Sequence, residues 1–97
     1  MGEKMEMSEI LICENTILGY KYKYFLIEKL CKIESVGTIL RYGIKVKEYD
    51  IKGKLIDSKA ICDIFGNKLK MIKAIGILKK LEVTPITLED VVIDNIY

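Results

Sequence analysis

Tyrosines alternate with lysines at the start of the stretch "YKYKYFLIEKL", residues 20–30. Rings interleaved with cations can bind single-stranded nucleic acid, because bases stack on the rings while ammonium groups pair with phosphates. That chemistry needs rings and cations on one surface. In an extended strand successive side chains point to opposite faces, so the tyrosines point one way and Lys21 and Lys23 the other. The spacing therefore favours a half-buried strand over a nucleic-acid platform.

A basic patch can still form from neighbouring strands. The stretch "GTILRYGIKVKEYD", residues 37–50, alternates apolar and polar side chains with the period of two that is typical of a strand. Side by side, the two stretches would gather five cations that could bind phosphates in a salt-dependent way, namely Lys21, Lys23, Arg41, Lys45 and Lys47. The alternative is a solvated face whose lysines protect the sheet against edge-to-edge aggregation. The sequence favours this alternative.

The charge is unevenly distributed along the chain. Residues 1–18 carry a net charge of −3, residues 19–80 of +9 and residues 81–97 of −4, for an overall charge of +2. Fifteen of the sixteen basic residues are lysine, and isoleucine occurs seventeen times, which is typical of an AT-rich genome. Arginine, the residue best suited to bidentate phosphate contacts, occurs once. Codon bias can therefore account for much of the basic character.

Few side chains in this sequence are suited to enzymatic catalysis. The chain has no histidine, and so lacks the usual general base near neutral pH and any Ser/His or Cys/His pair. It has no glycine-rich phosphate or dinucleotide motif. Paired acids such as Glu89 and Asp90 are explained by the start of a helix, where the helix dipole favours anions. We therefore expect no enzyme, no catalytic residue and no cofactor.

The three cysteines, Cys13, Cys31 and Cys62, are widely spaced and form no CxxC pair. Three thiolates from one chain do not complete a structural zinc site, although two chains could share one, so we expect no metal and three buried, apolar thiols. Cys31, with Lys29 and Lys32 nearby, is the candidate for a lowered thiol pKa. An odd number of cysteines argues against a disulfide framework.

Targeting features are also lacking. No apolar run approaches the roughly 20 residues that span a bilayer. The first ten residues, "MGEKMEMSEI", carry acids where a signal peptide has cations. We expect a cytoplasmic protein that makes no membrane contact.

The hydrophobic pattern predicts a single α+β domain. A four-stranded antiparallel meander, with a fifth short strand as an alternative, is followed by two C-terminal helices that pack on one face. Residues 1–7 are expected to be disordered, 8–65 to form the sheet and 66–97 the two helices. The first strand is expected to end near Glu14, and Thr87 with Asp90 to form a capping box for the second helix.

Three apolar residues of the first helix, Leu69, Ile72 and Ile77, do not fit its core-facing stripe. If the second helix leaves them uncovered, they would form an interface for an unidentified protein partner or for a second copy in a homodimer. Burial under the second helix is the alternative.

The end of the chain, "VTPITLEDVVIDNIY", resembles a small uncharacterised family of spore-forming anaerobic Firmicutes with a V-x-P-x-x-L-x-D-V-V-x-D ending. The stretches "RYGIKVKEYD" and "SKAICDIFGNK" support the same resemblance, which extends over residues 20–97. The matching positions are Val83, Pro85, Leu88, Asp90, Val91, Val92 and Asp94. The resemblance implies a bacterial cytoplasmic protein and no assigned activity.

These observations favour a non-catalytic bacterial protein that acts through protein–protein contacts, as a regulatory or scaffold module. The alternative is a weak nucleic-acid-binding protein that uses the lysine-rich face of its sheet.

Overall fold

The computed structural model describes residues 6–35, 37–65 and 67–95. Four strands precede two helices in chain order: β1 (Glu6–Ile17), β2 (Tyr20–Ile33), β3 (Gly37–Tyr49), β4 (Leu55–Phe65), α1 (Lys68–Lys80) and α2 (Leu88–Asn95). The strands form one antiparallel sheet in the order β1-β2-β3-β4. The predicted α+β fold, a meander followed by two helices, is confirmed. Most of the segment expected to be disordered lies outside the described residues.

The two helices pack on the tyrosine side of the sheet, which we call the inner face; the opposite side is the outer face. Tyr22, Tyr24 and Leu26 of β2 are buried there together with the alternating residues of β3. Each helix contributes its own buried stripe, which is Met71, Ala74, Ile75 and Leu78 from α1 and Leu88 and Val92 from α2. Tyrosines and lysines near the start of the chain therefore occupy opposite faces, as the period of two predicts.

The first hairpin differs from the prediction. Instead of ending near Glu14, β1 continues to Ile17 and pairs with β2 up to the Ile17–Tyr20 pair. Leu18 and Gly19 form the two-residue turn, with φ angles of 52° and 86°. Such turns usually carry Asn-Gly or Asp-Gly, because both residues need positive φ. Because leucine stands in the first position, the sequence did not predict this turn.

One tyrosine hydroxyl ties the sheet to the segment after α1. The Tyr24 hydroxyl donates a buried 2.7 Å hydrogen bond to the carbonyl oxygen of Val83. Beside it, the side-chain amide of Asn15 donates to the carbonyl oxygen of Lys79, also at 2.7 Å. The Lys79 carbonyl, in the last turn of α1, also accepts a 3.1 Å hydrogen bond from the N–H of Glu82, and Val83 lies three residues beyond the end of the helix.

The capping box before α2 lies three residues earlier than predicted. The hydroxyl of Thr87 accepts a hydrogen bond from the backbone N–H of Thr84 at 3.0 Å, and the hydroxyl of Thr84 accepts one from the N–H of Thr87 at 3.4 Å. This reciprocal arrangement is a capping box in which Thr84 is the cap and Pro85 the first residue of the turn. The predicted pairing of Thr87 with Asp90 is wrong, because Thr84 already engages the hydroxyl of Thr87.

A bulge in β4 brings its backbone against Gly43 of β3. The register shifts from the Ile44–Ile61 pair to the Tyr42–Phe65 pair, so β4 has two extra residues there. A Cβ atom on Gly43 would overlap the carbonyl oxygen of Ile61 and lie 2.9 Å from the Cα of Cys62. Only glycine allows so close a backbone approach.

Candidate functional site

The five cations of the predicted basic patch all lie on the outer face. In the β2–β3 register, Lys23 lies opposite Lys47, and Arg41 lies four pairs further along from Lys45. Lys21 and Arg41 are exposed, whereas Lys23, Lys45 and Lys47 are half-buried. All five cations therefore share one face of the sheet, and Arg41 lies apart from the four lysines.

Acids of β1 neutralise part of this patch. The carboxylate of Glu9 reaches across β2 and bridges two lysines of β3, with 2.6 Å from Oε1 to Lys45 Nζ and 2.9 Å from Oε2 to Lys47 Nζ. Hydrogen bonds from these two ammonium groups lower the pKa of Glu9 from its ordinary value. Oε1 of Glu14 lies 3.7 Å from Nζ of Lys23. Sequence analysis did not foresee this, because it did not consider which acids of β1 would face the lysines.

Two aromatic rings also share the outer face. The Nζ of Lys47 lies 4.7 Å from the ring centroid of Phe25, and that of Lys23 lies 5.1 Å from the centroid of Tyr49. Both distances are typical of cation–π contacts. The odd numbers of these rings and lysines place them on one face, a signal that was present in the sequence. In this arrangement the ammonium groups occupy the ring faces on which bases would stack.

The predicted interface on α1 is not gathered into one patch. Leu69 is 70% exposed and Ile77 is 41% exposed, whereas Ile72 is half-buried and packs against the core. Ile72 and Ile77 are five residues apart, which places them about 140° apart around the helix. They therefore lie on opposite flanks of α1, and Leu69 lies between them.

A different surface combines an open strand edge with exposed apolar side chains. Among the residues that the structure describes, β4 is an edge strand that pairs only with β3, and its residues 55–60 are all exposed. Two adjoining depressions of about 290 and 230 Å³ run between this strand and the segment that includes α2. We call them together the β4–α2 groove, which is lined by Asp57, Ser58, Lys59, Ala60, Ile61, Pro85, Ile86, Glu89, Val92 and Ile93.

Exposed isoleucine side chains line one side of the groove. Ile86 is 83% exposed and Ile93 is 55% exposed, on the side formed by α2 and the turn before it. Leu55 and Ile56, at the start of β4, are 48% and 47% exposed. Sequence analysis missed this surface because it depends on where α2 packs relative to the strand edge. The consecutive Leu55 and Ile56, which cannot both face the core, were the available signal.

The cysteines are not equivalent. Cys13 and Cys31 are half-buried, and burial raises the pKa of the Cys13 thiol. Cys62 is exposed on the bulge of β4, so the prediction that all three thiols are buried is wrong at this position. Among the described residues, no group of three or more His, Cys, Asp and Glu side chains could hold a metal ion.

The fold and surfaces define a small α+β protein whose four-stranded antiparallel sheet is covered by helices on one face and open along the β4 edge. The chain belongs to the family of unknown function DUF6514, whose model matches residues 3–97. Searches of curated proteins and of solved structures find no significant match. Within the described part of the chain, neither helix has the length and apolar character needed to cross a membrane.

Proposed function

We propose that this chain is a non-catalytic bacterial cytoplasmic protein that acts through protein–protein contacts, as a regulatory or scaffold module, and that the β4–α2 groove is its contact surface. The observation that carries the proposal is the open edge of β4 beside the exposed Ile86 and Ile93. The resemblance to proteins of spore-forming anaerobic Firmicutes supports the bacterial cytoplasmic setting.

An open strand edge suits addition of another strand. Backbone N–H and C=O groups at such an edge supply affinity through main-chain hydrogen bonds, and the pockets beside it select side chains. On β4 the N–H of Ser58 donates a 2.8 Å hydrogen bond to Asp57 Oδ1, and pairing through this N–H would replace that bond. Here the two depressions lie along Asp57–Ile61, so they can receive alternate side chains of an added strand. Burial of the exposed isoleucines would add to the affinity at about 25 cal/mol per Å² of apolar surface.

Residues of the C-terminal motif that carries the family resemblance support the choice of the groove, because they position α2. Val83, Leu88 and Val92 are buried, at 1%, 0% and 0% exposure, and so fix α2 against the sheet. Pro85 lines the groove directly. The motif therefore holds one wall of the groove in place.

The test is affinity purification from the native host with two matched double variants. Ile86→Asp with Ile93→Asp changes the groove, while Leu69→Asp with Ile77→Asp changes exposed apolar side chains on α1. We expect the groove variant to lose a nuclease-resistant protein that the parent chain and the α1 variant both retain. Circular dichroism checks that both variants stay folded. The reverse pattern would place the contact on α1, and retention by both variants would refute the proposal.

Nucleic-acid binding is the second candidate, and the placement of Phe25 and Tyr49 on the lysine face favours it. Against it stand Glu9, which pairs with both Lys45 and Lys47, and the position of two lysine ammonium groups over the rings on which bases would stack. Glu9→Gln would release these two cations, so it should tighten binding to single-stranded DNA and steepen its salt dependence. Filter binding of the parent and variant at about 50 and about 200 mM salt is the measurement, and no binding by either chain would reject this candidate.

A further inference from the structure

We propose that the occupant of the β4–α2 groove is a second copy of this chain, whose β4 pairs antiparallel with the first β4 about a two-fold axis. The inference rests on the proposed function, because it assigns a partner to the same groove. The two four-stranded sheets then form one continuous sheet, with the helices of both copies on the same side.

The geometry of β4 limits the possible registers. The segment Asp57–Ile61 pairs regularly with β3, between the register shifts on either side of it. With a two-fold axis perpendicular to the sheet, the inner faces of both copies lie on the same side. Inner-face residues of the two strands are then opposite each other only if the axis is level with a residue and not midway between two consecutive residues. A residue that lies n positions before the axis in one strand is then opposite the residue n positions after the axis in the other strand.

Charge selects one of these registers. An axis at Asp57 or at Lys59 would place two like charges directly opposite each other, which is destabilising. An axis at Ser58 instead places each Asp57 opposite the Lys59 of the other copy. Among the registers that pair residues within the regular segment Asp57–Ile61, this is the one that brings opposite charges together, so the sequence Asp57-Ser58-Lys59 is complementary to itself.

The surroundings of Asp57 strengthen this pairing. Lys59 lies opposite the buried Val46 of β3, so Asp57 and Lys59 both point to the inner face, where α2 packs. Glu89 of α2 lines the groove beside Asp57 and Ser58. The Lys59 ammonium group of the second copy would thus lie near two carboxylates, those of Asp57 and Glu89. The same register brings the exposed Leu55 and Ile56 of each copy beside Ile61 and Ala60 of the other.

Strand regularity does not distinguish the two edges of the sheet. A bulge interrupts β1 between Leu11 and Cys13, and register shifts flank the segment Asp57–Ile61 of β4. Because bulges twist an edge strand and disfavour addition of a further strand, the charge pattern of β4 is what favours pairing at that edge. Pairing of β1 with β4 would also leave a free edge on each copy and so would not close into a dimer.

Charge reversal tests the register directly. Lys59→Asp places two carboxylates opposite each other on both sides of the axis, and Asp57→Lys does the same with two ammonium groups. We expect each single variant to be monomeric in analytical ultracentrifugation at concentrations where the parent chain is a dimer. Mixed in equal amounts, the two variants should form a heterodimer, because every carboxylate of one then faces an ammonium group of the other. Circular dichroism confirms that each single variant remains folded.

A cysteine at the axis provides an independent measurement. In this register the two Ser58 residues are directly opposite, with Cα atoms about 4.5–5.5 Å apart, a separation that a disulfide can span. Ser58→Cys should form a covalent dimer under mild oxidation far more rapidly than Thr16→Cys on the exposed part of β1. The parent chain measures the background from Cys62.

The outcomes separate the inference from the proposed function. A monomeric parent chain, or charge variants that dimerise unchanged, would refute pairing of two copies in this register. If the parent chain is monomeric and the variant with aspartates at positions 86 and 93 still loses a captured protein, the groove remains a contact surface for a different partner. If that variant retains every partner and the charge variants dimerise like the parent chain, both proposals fail.

Discussion

Single residues in this protein have effects that depend on the space around their side chains. Gly43 and Gly76 illustrate this, since neither has a positive φ angle. A Cβ on Gly43 would overlap the backbone of β4, which cannot move aside easily, whereas one on Gly76 of α1 would meet nothing within 4 Å. The sequence alone presents two similar glycines, and only the position of the β4 bulge distinguishes them.

We predict opposite effects for the same substitution at these positions. Gly43→Ala should lower the free energy of unfolding by about 2–3 kcal/mol, because the added methyl group overpacks a backbone contact. Gly76→Ala should raise it by about 0.5–1 kcal/mol, because alanine is the better helix former. Urea unfolding of both variants gives the two values. A Gly43→Ala variant as stable as the parent chain would contradict the close approach of β3 and β4.

At the scale of elements, hydrophobic periodicity predicts most strands and helices, whereas the first turn and the cap of α2 depend on local residues that periodicity does not describe. The alternation in residues 37–50 correctly predicts β3, and the helical spacing after Asn67 correctly predicts α1. The end of β1 was missed because Leu18 stands where a hairpin turn usually has Asn or Asp. The cap of α2 was misplaced because threonines at 84 and 87 can cap each other, a choice that spacing alone does not decide.

The first hairpin leads to a second prediction. Leu18 has a φ of 52° and is 90% exposed, so it combines an unfavourable backbone conformation with an uncovered side chain. Leu18→Asn should raise the free energy of unfolding by about 0.5–1 kcal/mol, since asparagine tolerates positive φ. Leu18→Val, which is β-branched, should lower it. Thermal unfolding of the two variants is the measurement, and the opposite order of stabilities would argue against this turn.

At the scale of the whole molecule, the length of the sheet determines which surfaces stay open. The 14 residues of β2 extend about 46 Å, whereas the 13 residues of α1 extend only about 20 Å. The helices therefore cover part of the inner face, and the start of β4 is left exposed. Sequence analysis predicted which residues face inward but not this difference in coverage. For that reason it predicted the lysine face and missed the β4–α2 groove.

The outer face links β1 to β3 through Glu9, and this link should be sensitive to pH. Because Lys45 and Lys47 lower the pKa of Glu9 below its ordinary value of 4.5, the carboxylate stabilises the folded state above that pH. The contribution is lost as the pH falls through the lower, folded-state pKa. We predict that Glu9→Gln costs up to about 1 kcal/mol at pH 7, a typical upper value for a partly exposed pair.

Urea unfolding at pH 7 and at pH 3 measures this dependence. The difference in stability between the parent chain and Glu9→Gln should shrink at the lower pH, because pH 3 lies below the value of 4.5 at which the carboxyl group of the unfolded chain takes up its proton. Glu14→Gln is the matched control, because Glu14 lies farther from its lysine, at 3.7 Å, and should cost less at pH 7. A difference that grows on acidification would contradict the ion pairs of Glu9.

The order of the elements also affects how the chain folds as it is synthesised. In the described sheet, strands that are consecutive in sequence are neighbours, so the hairpins can form before α1 and α2 have been synthesised. Until α1 and α2 emerge, the rings of Tyr22, Tyr24 and Tyr42 remain bare to water. A nascent chain at this stage exposes an apolar face, and surface of this kind is prone to aggregation until the helices cover it.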